Sequence, residues 1–286
     1  VEGSNPSGRA KKMILEKYKE ILSKKSENLE KFSYSLKNQY SLGKPYPHIA
    51  IDNFFSEDFL NQILDSFPDL SKIKDSENYK NQNEIKFANN DYDNFPEKIK
   101  YFFDFLNSNH FIDFLQNLTS IKEKLLADKE LKGGGLHEIK SGGLLKIHTD
   151  FNKHPSNGLD RRINVLIYLN SNWDPNWGAD LKLAVKNKNR LDVKVSIDPL
   201  FNRTVVFTST DHSYHGHPTP LNGPQNTQRN ALVLYYYVST KPLDSADLKR
   251  TGTDYRNSDG KKLITFRRRI FLKLKSLIPN KFKSPL

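Results

Sequence analysis

The sequence predicts a mainly β protein with supporting helices. The core is a double-sheet jelly roll of eight strands over 136–238, with a helical preface before it and a basic helix after it. Three observations carry this. Apolar residues recur at helical spacing up to about residue 130; after Lys132-Gly133-Gly134-Gly135 they fall into short strand-like runs between turn clusters; beyond Lys241 the helical spacing returns. Strands of this number, with helices gathered on one side, bury their apolar faces by folding into packed layers.

Val1–Lys12 carries no hydrophobic pattern, and Met13 is the only methionine, which makes it a candidate natural start beside Val1. Gly3-Ser4-Asn5-Pro6 is what a transfer-RNA T-arm would encode, which suggests read-through from an upstream gene over 1–12. Ile14 to Tyr40 reads as an exposed helix or two, rich in lysine and glutamate. In "KPYPHIAIDNFF" (44–55) a proline-marked turn delivers a strand at His48–Ile51, and Ser56 caps the helix "EDFLNQILDSF". The Asn- and Asp-rich stretch 69–95 reads as a long surface loop, and helices follow near 96–107 and 109–130. The eight strands are expected at 136–140, 143–149, 162–169, 180–186, 192–197, 203–209, 212–217 and 229–238. Three regions result: a leader and helical segment (1–45), a central domain (46–240) and a basic amphipathic tail (241–286).

Composition narrows the chemistry. Zero cysteine excludes disulfide scaffolds, thiolate zinc sites, iron–sulfur clusters and cysteine nucleophiles. No apolar run approaches the roughly 18 residues of a membrane span and no secretory h-region opens the chain, so a cytoplasmic protein is expected. The formal charge of +12 is unevenly placed: residues 241–286 hold thirteen basic and four acidic side chains, a net +9, and residues 1–30 add +2. The body is nearly neutral, which disfavours a nucleic-acid groove.

Three elements point to a site. His148-Thr149-Asp150 closes the second strand, and alternate strand residues share a face, so His148 and Asp150 project together. Imidazole beside carboxylate, with no thiolate, suits iron, manganese or zinc, although one His-x-Asp also arises by chance among eight histidines. "TDHSYHGHP" (210–218) then offers His212, His215 and His217; one of them can complete a two-histidine, one-carboxylate triad, and period two puts His215 and His217 on one face. Arg229 opens the otherwise apolar strand "RNALVLYYYV", where a guanidinium needs an anion, either a ligand carboxylate or a structural partner.

With "PYPHIAIDNFF", "GGGLHEIKSGGLLKIHTDFN", "RRINVLIYLNSNWDPNWGADLKL", "PLFNRTVVFTSTDHSYHGHP" and "RNALVLYYYV", the chain resembles the Fe(II)/2-oxoglutarate-dependent dioxygenases, in their prolyl 4-hydroxylase-like branch, over roughly 45–240. The resemblance implies a double-stranded β-helix of cupin-like form and a hydroxylase that releases succinate and CO2. It makes His148, Asp150 and His215 the Fe(II) ligands and Arg229 the anchor for the far carboxylate of 2-oxoglutarate. It places Tyr168 on that same carboxylate and His137 and His217 in the pocket. O2 is the second cosubstrate, ascorbate an accessory reductant, and the substrate is a small molecule or a peptidyl residue. Asp150, where a halogenase of this fold has Gly or Ala, argues against halogenation. Gly178-Ala179 replaces the family's frequent Gly-Gly pair, and Ala184 stands where an aromatic is common, which touches packing or substrate space rather than the iron ligands.

In "KKLITFRRRIFLKLKSLIP" (261–279) Leu263, Phe266, Ile270, Leu274, Leu277 and Ile278 share a helical face. The expectation is that this face packs on the jelly roll; an anionic membrane surface or an acidic partner is the alternative. Two rival functions follow from the same residues: a cupin-type jelly roll that binds metal and ligand without oxygenase turnover, and an interaction module that works through the tail.

Overall fold

The computed structural model describes residues 17–188, 190–239, 252–256 and 260–262. Its strands are β1 (His48–Asp52), β2 (Glu77–Lys80), β3 (Glu84–Asn89), β4 (Leu126–Ala127), β5 (Gly135–Lys140), β6 (Leu144–Thr149) and β7 (Asp160–Tyr168). They continue with β8 (Leu181–Asn187), β9 (Arg190–Ile197), β10 (Arg203–Thr208), β11 (Tyr214–His217), β12 (Gln228–Val238) and β13 (Asp254–Tyr255). All pair antiparallel in the order β1-β10-β7-β12-β5-β3-β6-β11-β8-β9, with β2 on β3, β4 on β12 and β13 on β6. The expected mainly β jelly roll is the observed architecture, and each of the eight expected strands is present.

Period two explains how one sheet serves two environments. On β7, Ile163, Val165 and Ile167 face a layer of helices, as do Val206 on β10 and Leu232, Leu234 and Tyr236 on β12. The intervening Tyr168, Val205, Phe207, Ala231 and Val233 face inward against Leu181 and Leu183 of β8. The helices are α1 (Leu29–Leu42), α2 (Glu57–Asp65), α3 (Glu97–Leu106) and α4 (Asn109–Thr119). Asn28, Ser56 and Ser108 cap α1, α2 and α4 with side-chain oxygens that accept backbone N–H groups.

Four expectations need revision. The segment 69–95 is not a loop: it holds a 3-10 turn (Leu70–Lys72) and the hairpin β2–β3, and β3 lies between β5 and β6. The reason is an inverted pattern, in which Glu84 is buried and Ile85 is exposed, so alternation is present but its apolar member points out. The helix expected over 109–130 stops at Thr119 because Ser120 takes a left-handed conformation (φ 56°) and returns its N–H to the Gln116 carbonyl. The preface is packed rather than exposed, with Leu29 and Tyr40 of α1 buried. Finally, the sheet takes in Asp254–Tyr255, within the segment read as a tail. The start at Met13 and the amphipathic stretch from Leu263 onward lie outside the described residues. Among the described residues no helix is long and apolar enough to cross a membrane.

Candidate metal and cosubstrate site

β6 and β11 run side by side with His215 directly opposite His148. The register shifts between His215 and His217, the mark of a bulge on β6, so that His217 pairs with Leu145; β11 keeps its period of two, and both of its histidines line the same cavity. Gly216 permits this close approach: a Cβ there would sit 2.8 Å from the carbonyl oxygens of Leu145 and Lys146. His212 lies in the turn before β11 and is exposed outside the cavity.

His148, Asp150 and His215 are all buried, with one donor atom from each lying within 4.8 Å of the others. His148 Nε2 is 3.5 Å from Asp150 Oδ1, and His215 Nε2 is 3.3 Å from Oδ2. Both imidazoles are oriented alike, with Nδ1 against the carbonyl two residues back: Lys146 at 2.8 Å and Ser213 at 2.9 Å. With Nδ1–H donating there, each Nε2 keeps its lone pair for the space beside Asp150. Burial pulls the His215 pKa down to about 4, so the ring is neutral at pH 7. Burial alone would raise the Asp150 carboxyl, but Arg161, His215 and His148 outweigh it and hold it well below its ordinary range. Two imidazole nitrogens and one carboxylate, with no thiolate, are donors suited to Fe(II).

Asp150 is itself held. Asn164 Nδ2 donates to Oδ2 at 2.8 Å, and Arg161 Nη2 lies 3.0 Å from the same oxygen. Arg161 donates to Asn164 Oδ1 and packs its guanidinium on Tyr235, 3.2 Å from the ring centre. Sequence reasoning missed Arg161 and Asn164, although "RRIN" opens an apolar strand just as Arg229 does.

Arg229 sits on the inward face of β12 with Ala231 and Val233, buried, and its Nε has no hydrogen-bond partner. Nη2 donates to Tyr168 Oη at 3.1 Å. Tyr168 is fully buried behind Arg229 and, unlike Arg229, does not line the cavity. A buried guanidinium with an unused donor, facing a cavity, fits an incoming carboxylate. His137 and His217 line the same cavity, and burial pushes both well below the usual histidine range, so neither adds charge there. The cavity, about 200 Å³, is also walled by Tyr79, Glu84, Lys86 and Tyr255, which sequence reasoning did not single out.

Residues 134–237 match the family model described as the 2OG-Fe(II) oxygenase superfamily. Among solved structures, the chain is similar to a prolyl hydroxylase from Trichoplax adhaerens in complex with a hypoxia inducible factor oxygen degradation domain peptide fragment. The identity is 20%, with a TM-score of 0.52 over 74% of this chain and 94% of that one. It is also similar to a Pseudomonas putida prolyl-4-hydroxylase (12% identity, TM-score 0.52, 73% and 100% of the two chains). A prolyl 4-hydroxylase from Phytophthora capsici matches at 18% identity and TM-score 0.52, over 79% of this chain and 69% of that one. At these identities the likeness is one of fold. No curated protein sequence matches the chain.

Proposed function

We propose that the chain, whose residues 134–237 match the model of the 2OG-Fe(II) oxygenase superfamily, is an oxygenase of that kind and hydroxylates an unactivated C–H bond with His148, Asp150 and His215 as the iron ligands. The cofactor is Fe(II), and the cosubstrates are 2-oxoglutarate and O2. When bound, iron and 2-oxoglutarate provide the oxidation: one oxygen atom of O2 leaves in succinate as CO2 is released, and the other enters the substrate as hydroxyl.

The observation that carries this reading is the convergence of the three ligand atoms, with both Nε2 lone pairs left available beside the carboxylate. The residues around them divide the remaining work. Arg161 and Asn164 hold Asp150 ionised and fix its rotation. Arg229 neutralises the far carboxylate of 2-oxoglutarate with the donor it does not otherwise use, and Tyr168 keeps that guanidinium in place. His137 and His217 are neutral pocket walls. The Trichoplax neighbour is seen with a peptide, and a peptidyl or small-molecule substrate suits this cavity. The cupin-type reading predicts metal binding without turnover and accounts for neither Arg229 nor the family match.

Anaerobic addition of Fe(II) and 2-oxoglutarate is expected to give a metal-to-ligand charge-transfer band. His148→Ala is expected to abolish it, along with oxygen-dependent succinate formation. Absence of the band in the wild type, or a band indifferent to His148→Ala, overturns the assignment.

A further inference from the structure

β6 carries His148, and its two edges are covered differently. β11 lies along one edge. On the other, β3 pairs only with Leu144 and Leu145, and Lys146 N–H donates to the Asn83 carbonyl. β3 begins at Glu84 and so does not extend alongside 147–149, which would leave that edge uncovered beside the cavity. The segment 253–256 fills the gap: Tyr255 stands opposite His148, Asp254 opposite Thr149, and Arg256 N–H donates to the Ile147 carbonyl at 2.9 Å. Buried backbone groups need such partners.

The strap is anchored at its own far side. Asp254 pairs with Arg256 at 2.7 Å and with Lys262 at 3.2 Å, and Arg256 also donates to the Gly260 carbonyl. It therefore presents Tyr255 from a braced strand. The Tyr255 ring lies 5.2 Å from the His148 ring, centre to centre, and its hydroxyl donates to Glu84 on β3. Glu84 in turn lies 3.4 Å from Lys86, whose ammonium packs over the Tyr79 ring. All four side chains line the cavity. Segments far apart in the chain thus meet across one wall of the site, and the Tyr255–Glu84 bond joins them.

We infer that Tyr255 is a positioning residue of the oxygenase site: with Glu84 it closes the wall beside His148, excluding water and defining where the substrate's reacting carbon lies. This rests on the iron and 2-oxoglutarate reading above and assigns a role to the C-terminal strap within it. A wall of this kind governs how much 2-oxoglutarate is consumed without substrate, because solvent access to the site favours unproductive turnover.

The test uses the full-length chain as Tyr255→Phe, which keeps ring and strand but loses the Glu84 bond, and as Tyr255→Ala, which opens the wall. The anaerobic charge-transfer band reports iron and 2-oxoglutarate binding; succinate formed in air without added substrate, per iron bound, reports leakage. Both variants are expected to keep the band. Substrate-free succinate formation should rise roughly threefold in Tyr255→Phe and roughly tenfold in Tyr255→Ala. Rates within twofold of wild type in Tyr255→Phe, with the band intact, overturn the inference, and they do so even if Tyr255→Ala fails to fold. Absence of the band in the wild type is a different result: it removes the functional reading itself.

Discussion

Strands β7, β10 and β12 look two ways, and their faces are built from opposite materials. Toward the helices they present Ile163, Val165, Ile167, Val206, Leu232 and Leu234 to a bed of phenylalanines, Phe54, Phe102, Phe105, Phe111 and Phe114 among them, all essentially fully buried. Toward the cavity the same strands present Asn164 and Arg229, across from histidines on β6 and β11. Consecutive residues of β12 show the contrast: Tyr235 packs under the Arg161 guanidinium, while Tyr236 turns to the helices and donates to the Leu106 carbonyl. One face holds the fold together; the other buries charge and hydrogen-bonding groups that a cofactor is needed to satisfy. The separation allows the site's polarity to be carried by a sheet whose stability is earned elsewhere.

The largest effect expected from breaking this division is on the helix side. Phe111 packs against Phe54, Phe105, Phe114 and Tyr236, with ring centres 5.6–6.3 Å apart. Phe111→Ala is expected to destabilise the protein by about 3–5 kcal/mol, from lost transfer energy plus the cavity left behind. Urea unfolding measures the loss, and the charge-transfer band of the folded protein should be unchanged. A band weakened in proportion to stability would show that the two faces are not independent.

A smaller effect, about 3 kcal/mol, is expected on the cavity side from acid. Burial holds the His215 pKa at about 4 in the folded protein, against about 6.5 unfolded. Between those values the unfolded chain takes up a proton that the folded chain does not. Stability is therefore full above pH 6.5 and falls by about 1.4 kcal/mol per unit as pH drops toward 4. His137 and His217, also pushed down by burial, act with the same sign. Urea midpoints of metal-free protein at pH 7 and pH 4.5 measure this, and Phe111→Ala should run parallel to wild type. A flat profile would mean that the cavity histidines are more solvated than their burial implies.

How far the sequence disclosed these faces depended on whether the pattern was local. β12 and β7 were legible because their apolar residues run continuously between turn clusters, and His148 and Asp150 because strand period puts them toward one space; His215 was singled out from the three histidines of 210–218 only by the family resemblance. β3 was not, since its inward residues are Glu84 and Lys86 and its outward one is Ile85. Arg161 carried the same signal as Arg229, an arginine heading an apolar strand, and the signal went unused there. Tyr255 left no local trace at all: its place opposite His148 is a pairing across more than a hundred residues, inside a segment whose charge drew attention away from its strand.

The smallest effect separates binding from chemistry at Arg229. Its guanidinium is buried, holds Tyr168 with one nitrogen and leaves Nε to the cavity. Arg229→Gln removes the charge proposed to meet the far carboxylate of 2-oxoglutarate but leaves His148, Asp150 and His215 untouched. The KM for 2-oxoglutarate is expected to rise roughly 10- to 100-fold, equivalent to about 1.4–2.7 kcal/mol, with Fe(II) affinity unchanged. Tyr168→Phe keeps the ring beneath the guanidinium, 4.9 Å away, and deletes only the hydroxyl. If Tyr168 works by orienting Arg229, that change should raise KM about threefold and add nothing once Arg229 is already Gln. Additive effects in the double variant would instead mean that the tyrosine reaches the carboxylate itself, because two groups acting on one ligand independently sum, whereas a support loses its purpose with what it supports.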